Sequence, residues 1–318
     1  SFEIFQSTYG IFQRLNEKFN DEIGHHNVIN LFQSNDPYVS NLLDHNKNFC
    51  IMPWIQSHVN TQGQVYPCCA FSEAHPLGNS KNNTLDQIFN NAQTRKLRLD
   101  MLSDKATIAC NSCINTDKTR KMSHRKVANN RFLSHVKKTK HTNLDGSYLF
   151  KHIAWDIRFD NLCNLKCRTC SYIASTSWFN DTVAINNNIP IKQILRPPGI
   201  FKQLLQHVDN VEYIYFAGGE PLIIQKCWDI LSILIERNLL DVELVYNTNF
   251  TKLDFKGISI FHYLKNFNNV HIGASLDAMG KRAEYWRSGT IWGVIEHNRR
   301  RMINEAPDIS FSIDATVS

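Results

Sequence analysis

The sequence has no apolar run that approaches the roughly 18 residues of a membrane-spanning helix, and it opens with no recognisable secretory signal. These absences exclude a membrane span and favour a cytoplasmic protein without a membrane partner. In the absence of a signal, the nine cysteines in 318 residues indicate metal ligands in a reducing compartment rather than disulfides. The hydrophobic fraction of 42% is ample for a sizeable core, so the chain is predicted to be globular.

A fourth cysteine is missing from the densest cysteine group, in residues 159–170. Cys163, Cys167 and Cys170 share one short loop that follows an alternating strand pattern. Three thiolates this close can bind three irons of a cubane cluster and leave the fourth iron open, whereas a structural zinc site needs four closed ligands. The spacing therefore favours an iron-sulfur cluster with an open iron. A zinc knuckle with a distant fourth ligand and three unrelated thiols are the alternatives.

The CxxxCxxC spacing of Cys163, Cys167 and Cys170 resembles the signature of the radical S-adenosylmethionine (SAM) enzymes. The resemblance implies a 4Fe-4S cluster whose open iron binds the amino and carboxylate groups of SAM. It also implies reductive cleavage of SAM to a 5′-deoxyadenosyl radical that abstracts hydrogen from a substrate. The family often places an aromatic residue before the third cysteine to pack on adenine, but Thr169 stands there. Adenine stacking is then expected from another residue, such as Tyr172 or Trp178.

The second half of the chain alternates strand-like and helix-like segments, which is typical of a parallel sheet built from βα units. Helices are predicted at 221–237 and 291–303. Strands are predicted at 152–159, 211–217, 242–248, 270–276 and 309–317. Together with the resemblance, this pattern predicts an α/β fold with a partial (β/α) barrel of the radical SAM type, about five to six parallel strands, preceded by a small helix-plus-hairpin module.

Polar motifs follow successive predicted strands, at the edge where active sites gather in barrels of this kind. The resemblance implies that these motifs contact the amino group, ribose and carboxylate of SAM. The residues are Gly218, Gly219 and Glu220 of a GGE motif, then Asn247, Asn249, Ser275 and Asp277. Taken singly, each also fits an ordinary turn residue or helix cap. Arg287 resembles an arginine of SPASM-type radical SAM enzymes, and a structural salt bridge is its alternative.

The predicted strands alternate apolar and polar residues, whereas parallel strands covered on both faces usually read as continuous apolar runs. One face of the sheet is therefore predicted to be polar and to line a cavity for a polar substrate. The candidate lining residues are Asp156, Arg158, His271, Ser312 and Asp314. An internal ion-pair network is the alternative for any one of them.

A second cysteine group lies in residues 50–113. Strand-like segments on either side of a turn at residues 61–63 predict a hairpin that brings Cys50 and Cys68 together, and a capping box at Thr84 predicts a helix before the next pair. The spacing resembles SPASM and twitch modules, which carry auxiliary iron-sulfur clusters in many radical SAM enzymes. The resemblance implies one auxiliary 4Fe-4S cluster held by Cys50, Cys68, Cys110 and Cys113, with Cys69 as a substitute for Cys68. A four-cysteine zinc site is the alternative.

Residues 118–141 are strongly basic and almost free of acids. Such a run is usually a solvated helix face or a linker, and the alternative is a surface for an acidic peptide or a nucleic acid. The chain is thus divided into an N-terminal helical segment at 1–48, the cysteine module at 49–116, the basic segment at 117–148 and the partial barrel at 149–318.

The resulting prediction is a radical SAM enzyme that modifies a peptide or protein and takes electrons from a donor such as flavodoxin or ferredoxin. A nucleotide or RNA substrate is the first alternative, and a zinc-stabilised binding module without catalysis is the second. Only five barrel strands are predicted, and the last ends with the chain, leaving an unpaired edge that invites aggregation. We therefore expect either truncation relative to the family or cover of this edge by the N-terminal helices or a second copy.

Overall fold

The computed structural model of the chain describes residues 36–119, 121–185, 194–197 and 199–316. The described part of the N-terminal segment holds helix α1 (Pro37–Ser40) and a π-helical turn (Asn41–His45). No helix in the described ranges is long and apolar enough to cross a bilayer. Outside these ranges lie residues 1–35 of the predicted N-terminal helical segment, Arg120 of the basic segment and the last residue of the predicted strand 309–317.

A mostly parallel sheet of eight strands forms the centre of the described chain. Its strands are β1 (Gln56–Val59), β2 (Gln64–Tyr66), β3 (Gly78–Asn79), β4 (Ala154–Ile157), β6 (Tyr213–Phe216), β7 (Glu243–Thr248), β10 (Val270–Ala274) and β12 (Ser310–Ile313). Across the sheet they lie in the order β12-β10-β7-β6-β4-β1-β2-β3. The pairs from β12 to β1 are parallel, and the β1–β2 and β2–β3 pairs are antiparallel. Two small ribbons pair β5 (Lys166–Cys167) with β11 (Arg287–Ser288) and β8 (Asp254–Phe255) with β9 (Ile258–Ser259).

The five strands predicted for the second half correspond to β4, β6, β7, β10 and β12, each shorter than its predicted range. Their mutual pairing is parallel, which confirms the α/β class. Among the described residues β12 has one strand partner, β10. Cover of its other edge by N-terminal helices or a second copy stays a prediction.

The hairpin of the cysteine module extends the same sheet, which sequence analysis did not predict. Strand β1 pairs in parallel with β4, with Gln56 opposite Ala154 and Val59 opposite Ile157. The backbone N–H of Ser57 also donates to Nε2 of His152 at 3.0 Å. The strand edge that β4 would otherwise expose is therefore covered by the cysteine module.

Helices cover the apolar face of the sheet. The predicted helix 221–237 is a 3₁₀ turn (Pro221–Ile223) followed by α10 (Gln225–Glu236), whose buried stripe includes Trp228, Leu231 and Leu234. The predicted helix 291–303 is α13 (Trp292–Glu305). The remaining helices are α2 (Met52–Ile55), α3 (Leu85–Phe89), α4 (Ala92–Leu102), α5 (Asn111–Lys118), α6 (His124–Arg131), α7 (Leu133–Val136), α8 (Phe179–Ile185), α9 (Ile200–Leu205), α11 (Ile260–Leu264) and α12 (Gly280–Trp286).

A fully buried arginine links parts of the cysteine module to each other and to the basic segment. Helix α3 begins at the predicted capping box of Thr84 and Gln87, and α4 follows it. From α4, Arg98 donates to four acceptors in three separate segments and stacks over a phenylalanine ring at 3.9 Å. These acceptors are the carbonyls of Pro53, Phe89 and Gly146 and Oδ1 of Asn90, at 2.8 to 3.2 Å.

The basic segment packs partly against the polar face of the sheet. Its lysines at 121, 137, 138 and 140 are exposed, as a solvated face predicts. Arg125 is buried, and the guanidinium of Arg131 lies 4.7 Å from the ring centre of Tyr213 on β6. The prediction of a solvated helix face or linker is therefore wrong for Arg125, because side chains of α6 bury against the sheet and the cysteine module.

Candidate metal centres

The loop of Cys163, Cys167 and Cys170 leaves the carboxyl end of β4 and is held by hydrogen bonds to its own carbonyls. Trp178 Nε1 donates to the Cys167 carbonyl at 2.9 Å, and Ser177 Oγ donates to the Cys163 carbonyl at 2.8 Å. The short pairing of β5 with β11 sets Cys167 opposite Arg287. These contacts fix the backbone from which the three thiols project.

The three thiols lie close enough to influence one another. Burial raises the pKa of each thiol, and the nearby thiol groups raise it further. Side-chain donors face two of the three sulfurs, and one of them, Arg287, lowers the pKa of Cys167 against the effect of burial. Arg287 Nη1 lies 3.6 Å from the Sγ atom of Cys167, and Asn249 Nδ2 lies 3.9 Å from the Sγ atom of Cys163. A positive or N–H-bearing group beside a sulfur favours its thiolate form, so these two contacts suit thiolate ligands.

The predicted GGE motif packs directly against this cysteine loop. Gly218 and Gly219 have positive φ values of 84° and 54°, and a Cβ on Gly219 would lie 2.3 Å from the Leu162 carbonyl oxygen. The backbone N–H of Glu220 donates to that same carbonyl at 2.8 Å. The turn after β6 therefore requires glycine, because the cysteine loop occupies the space of a side chain.

Glu220 ties this turn to the end of β7. Its carboxylate accepts hydrogen bonds from Thr248 Oγ1 at 2.7 Å, Asn249 N at 2.7 Å and Leu222 N at 3.1 Å. Complete burial raises the pKa of Glu220 to about 7, although these three bonds favour the charged form. Both carboxylate oxygens are thus occupied within the protein, so the contact of Glu220 with SAM stays a prediction.

The other residues predicted to contact SAM also meet one another. Asn247 Oδ1 accepts a short hydrogen bond from Ser275 Oγ, and its Nδ2 donates to the Tyr215 hydroxyl at 3.1 Å. Arg287 forms a two-pronged ion pair with Asp277 at 2.8 and 2.9 Å. The structure brings all of them to one edge of the sheet. The ion pair with Asp277 is the structural salt bridge that was the alternative interpretation of Arg287.

The polar face of the sheet carries two groups of interacting polar residues. The Asp156 carboxylate lies 3.0 Å from His58 Nδ1 and 3.0 Å from Arg158 Nη2, at ion-pair distance from both. Farther across the face, His271 bonds to Ser310 and Ser312 at 2.9 Å, and Ser312 donates to Asp314 at 3.0 Å. The five predicted cavity residues therefore lie in ion-paired or hydrogen-bonded groups on one face, as the internal-network alternative describes.

The four cysteines of the predicted auxiliary site line one small pocket. Burial raises the pKa of Cys50 and Cys110 to about 12, with a further rise from the neighbouring thiols. The backbone groups of Met52 and Ala70 act in the opposite direction and lower the pKa of Cys50 and Cys68 respectively, although burial outweighs them. Sequence analysis missed Arg125, which lines the same pocket, because its position within a basic run resembled a solvated charge.

Arg125 supplies the positive charge beside these thiols. Its Nη1 atom donates to the Phe49 carbonyl at 2.9 Å, and its Nε and Nη2 atoms hold Asp117. Burial raises the pKa of the Cys113 thiol in the same pocket, and the backbone and the charge of Arg125 act in the opposite direction. A metal centre with several thiolates carries net negative charge, so a fixed guanidinium fits such a centre.

Cys68 and Cys69 point in different directions. Cys68 is buried and lines the pocket with the other three cysteines. Cys69 is exposed and lies near the polar face, where the surrounding protein and the Asp156 carboxylate raise the pKa of its thiol to about 12. The geometry therefore favours Cys68 over Cys69 as the fourth ligand.

The donor sets fit iron-sulfur chemistry in type and surroundings. Thiolates are the usual ligands of such clusters, and hydrogen bonds to sulfur are part of how proteins hold them. Among the described residues, no set of three or more His, Cys, Asp or Glu side chains is already arranged around one metal-binding point. A cubane cluster does not need such a point, because each cysteine binds a different iron.

Comparison with known families supports the cysteine module. Residues 50–114 match the SPASM family, an iron-sulfur cluster-binding domain that occurs in radical SAM proteins. The match begins at Cys50 and ends just after Cys113, so it contains the four predicted auxiliary ligands. No curated protein matches the chain. The predicted SPASM resemblance is thus confirmed for the module, and the match supports iron-sulfur cluster binding.

Proposed function

We propose that this protein is a radical SAM enzyme in which Cys163, Cys167 and Cys170 hold the cluster that binds SAM. The observation that carries the proposal is the position of this loop, at the carboxyl end of a parallel strand and in contact with the Gly218-Gly219 turn. Its neighbour in the chain is a SPASM match, and SPASM domains occur in radical SAM proteins. Both findings favour the same class of enzyme.

A SAM-bound cluster would supply one electron to the sulfonium and so generate the radical that abstracts hydrogen. The residues of this chain would bind, orient and shield. Arg287 and Asn249 place donors beside two of the cluster thiols, while Glu220 fixes the end of β7 against the turn after β6. The hydrogen-bonded pair of Asn247 and Ser275 lies at the same strand edge, where SAM is proposed to bind.

The auxiliary module is proposed to hold one 4Fe-4S cluster on Cys50, Cys68, Cys110 and Cys113. Four protein thiolates leave no open coordination position, so this cluster would serve electron transfer or structure rather than SAM binding. The companion SPASM match favours a peptide or protein substrate, which is part of the proposal.

Metal analysis and SAM cleavage test the proposal together. Anaerobically reconstituted protein should contain about eight irons and matching sulfide per chain, and the reduced protein should release 5′-deoxyadenosine from SAM. Replacing Cys163, Cys167 and Cys170 together with Ala should leave about four irons and no cleavage. Cys227→Ala is the matched control, because Cys227 is buried on α10 in the apolar core.

Two outcomes would refute the proposal. Zinc without sulfide would favour the zinc-stabilised binding module. Undiminished 5′-deoxyadenosine formation by the triple variant would show that SAM is cleaved without this loop. Normal iron loading and cleavage by Cys227→Ala would confirm that losing a thiol does not by itself prevent reconstitution.

A further inference from the structure

A large cavity opens at the edge of the sheet opposite the three-cysteine loop. It has a volume of about 980 Å³ and is bounded by the amino ends of β6, β7, β10 and β12, with Arg131 of α6 at its rim. The cysteine loop, the GGE turn and Asn247 all lie at the carboxyl ends of these or neighbouring strands. The cavity is therefore distinct from the candidate SAM site.

The polar face of the sheet connects this cavity with the candidate SAM site. Successive side chains on one face of a strand are two residues apart, so Glu243, Val245 and Asn247 of β7 lie in one row. Glu243 and Val245 line the cavity, and Asn247 bonds to Ser275 at the SAM edge. At about 3.3 Å per residue, Glu243 and Asn247 are about 13 Å apart along the strand.

The charge of the cavity is opposite to that of the chain. The described residues that line it include four carboxylates, those of Glu212, Asp241, Glu243 and Asp308. Arg131 is the one Lys or Arg among these described lining residues. Arg131 lies 3.6 Å from Glu243 and so neutralises part of this charge. The whole chain carries a formal net charge of +6. A concave site of one sign concentrates ligands of the other sign.

We propose that this cavity binds a cationic group of the substrate, such as a lysine or arginine side chain of a peptide. The cation would lie near Glu243, and the extended remainder would follow the polar face toward Asn247. The atom that reacts would then lie about 13 Å from the cation, about four residues of extended peptide. The role in substrate binding rests on the proposed enzyme function, whereas the preference for cations rests on the cavity alone.

Binding of two blocked tripeptides to the reconstituted full chain tests this preference. Acetyl-Gly-Lys-Gly-amide should bind at millimolar concentration by isothermal titration, and acetyl-Gly-Glu-Gly-amide should not. Glu243→Gln should weaken binding of the lysine peptide about threefold, while Arg131→Gln should strengthen it by a similar factor. Glu236→Gln is the matched control, since Glu236 is exposed on α10 and outside the cavity.

Opposite signs for the two cavity variants are the decisive result, because a general loss of folding would weaken binding in both. Equal binding of the two peptides, no binding of the lysine peptide, or changes in the same direction would overturn the proposal. SAM cleavage is measured in the same samples without peptide. Its absence refutes the proposed function and leaves the binding result standing, whereas charge-independent binding refutes the cavity assignment even when SAM is cleaved.

Discussion

Replacing Arg98 with Met should destabilise the protein strongly, although Arg98 touches neither cysteine site directly. The guanidinium is fully buried and donates to four acceptors in three segments of the chain, two in the cysteine module and one, at Gly146, in the basic segment. A buried carbonyl left without a donor costs roughly 1–3 kcal/mol, so four acceptors set a gross loss of about 4–12 kcal/mol. Met has similar length and remains apolar, so the loss arises from the hydrogen bonds.

Part of this loss of folding free energy is offset, because Met has no charge to desolvate. Burial lowers the pKa of Arg98 from 12.5 to about 9, which corresponds to about 5 kcal/mol of hydration given up on folding. With the acceptors partly relaxing toward water, we expect a net destabilisation of about 3 kcal/mol, near the range seen when one partner of a buried charged network is removed.

Urea denaturation of the reconstituted protein, followed by circular dichroism, measures this difference. Arg95→Met is the matched control, because Arg95 lies on the same helix and pairs with the exposed Asp145. That substitution should cost less than about 1 kcal/mol. Equal effects of the two substitutions would show that the hydrogen bonds of Arg98 add no net stability.

Three further results are expected. Glu220 binds its proton more tightly in the folded state, so its contribution to the free energy of unfolding falls as pH rises from 4.5 to about 7. The fall is at most about 3 kcal/mol, and Glu220→Gln should flatten this part of the plot of stability against pH. Gly219→Ala should reduce iron loading and stability, since its Cβ would meet the cysteine loop. Gly257 also has a positive φ, of 81°, but a Cβ there would have nothing within 4 Å, so Gly257→Ala should retain iron; equal iron loss would refute the clash. Cys68→Ala should lose the auxiliary iron that Cys69→Ala retains, as metal analysis would show, and the reverse pattern would exchange their roles.

The local pattern of the sequence was sufficient to predict the five parallel strands of the second half and the order of their polar ends. Alternation within β4, β10 and β12 marks a sheet with one polar face, and the turn chemistry after β6 and β7 marks the edge of the site. These signals depend on residues within a few positions of one another. Their spatial meeting follows from parallel pairing, which brings successive carboxyl ends to one edge.

Contacts between distant segments could not be predicted from such local patterns. The pairing of β1 with β4 joins residues 98 apart, such as Gln56 and Ala154, and neither strand alone encodes its partner. The burial of Arg98 and Arg125 was missed because charged residues are rarely buried without partners, and these partners are carbonyls and an aspartate supplied by other segments. The opposite orientations of Cys68 and Cys69 depend on the same tertiary packing.

The parallel pairing of β1 with β4 also bears on how the chain folds during synthesis. Ribosomes deliver β1 and its hairpin partner β2 long before β4, and a hairpin forms within microseconds, whereas parallel pairs between distant segments form slowly. The hairpin can therefore form first and serve as a template onto which β4 docks. Strands β6, β7, β10 and β12 can then pair one after another in the order in which they are synthesised. In this order of assembly the cysteine module acts first as a folding scaffold for the sheet.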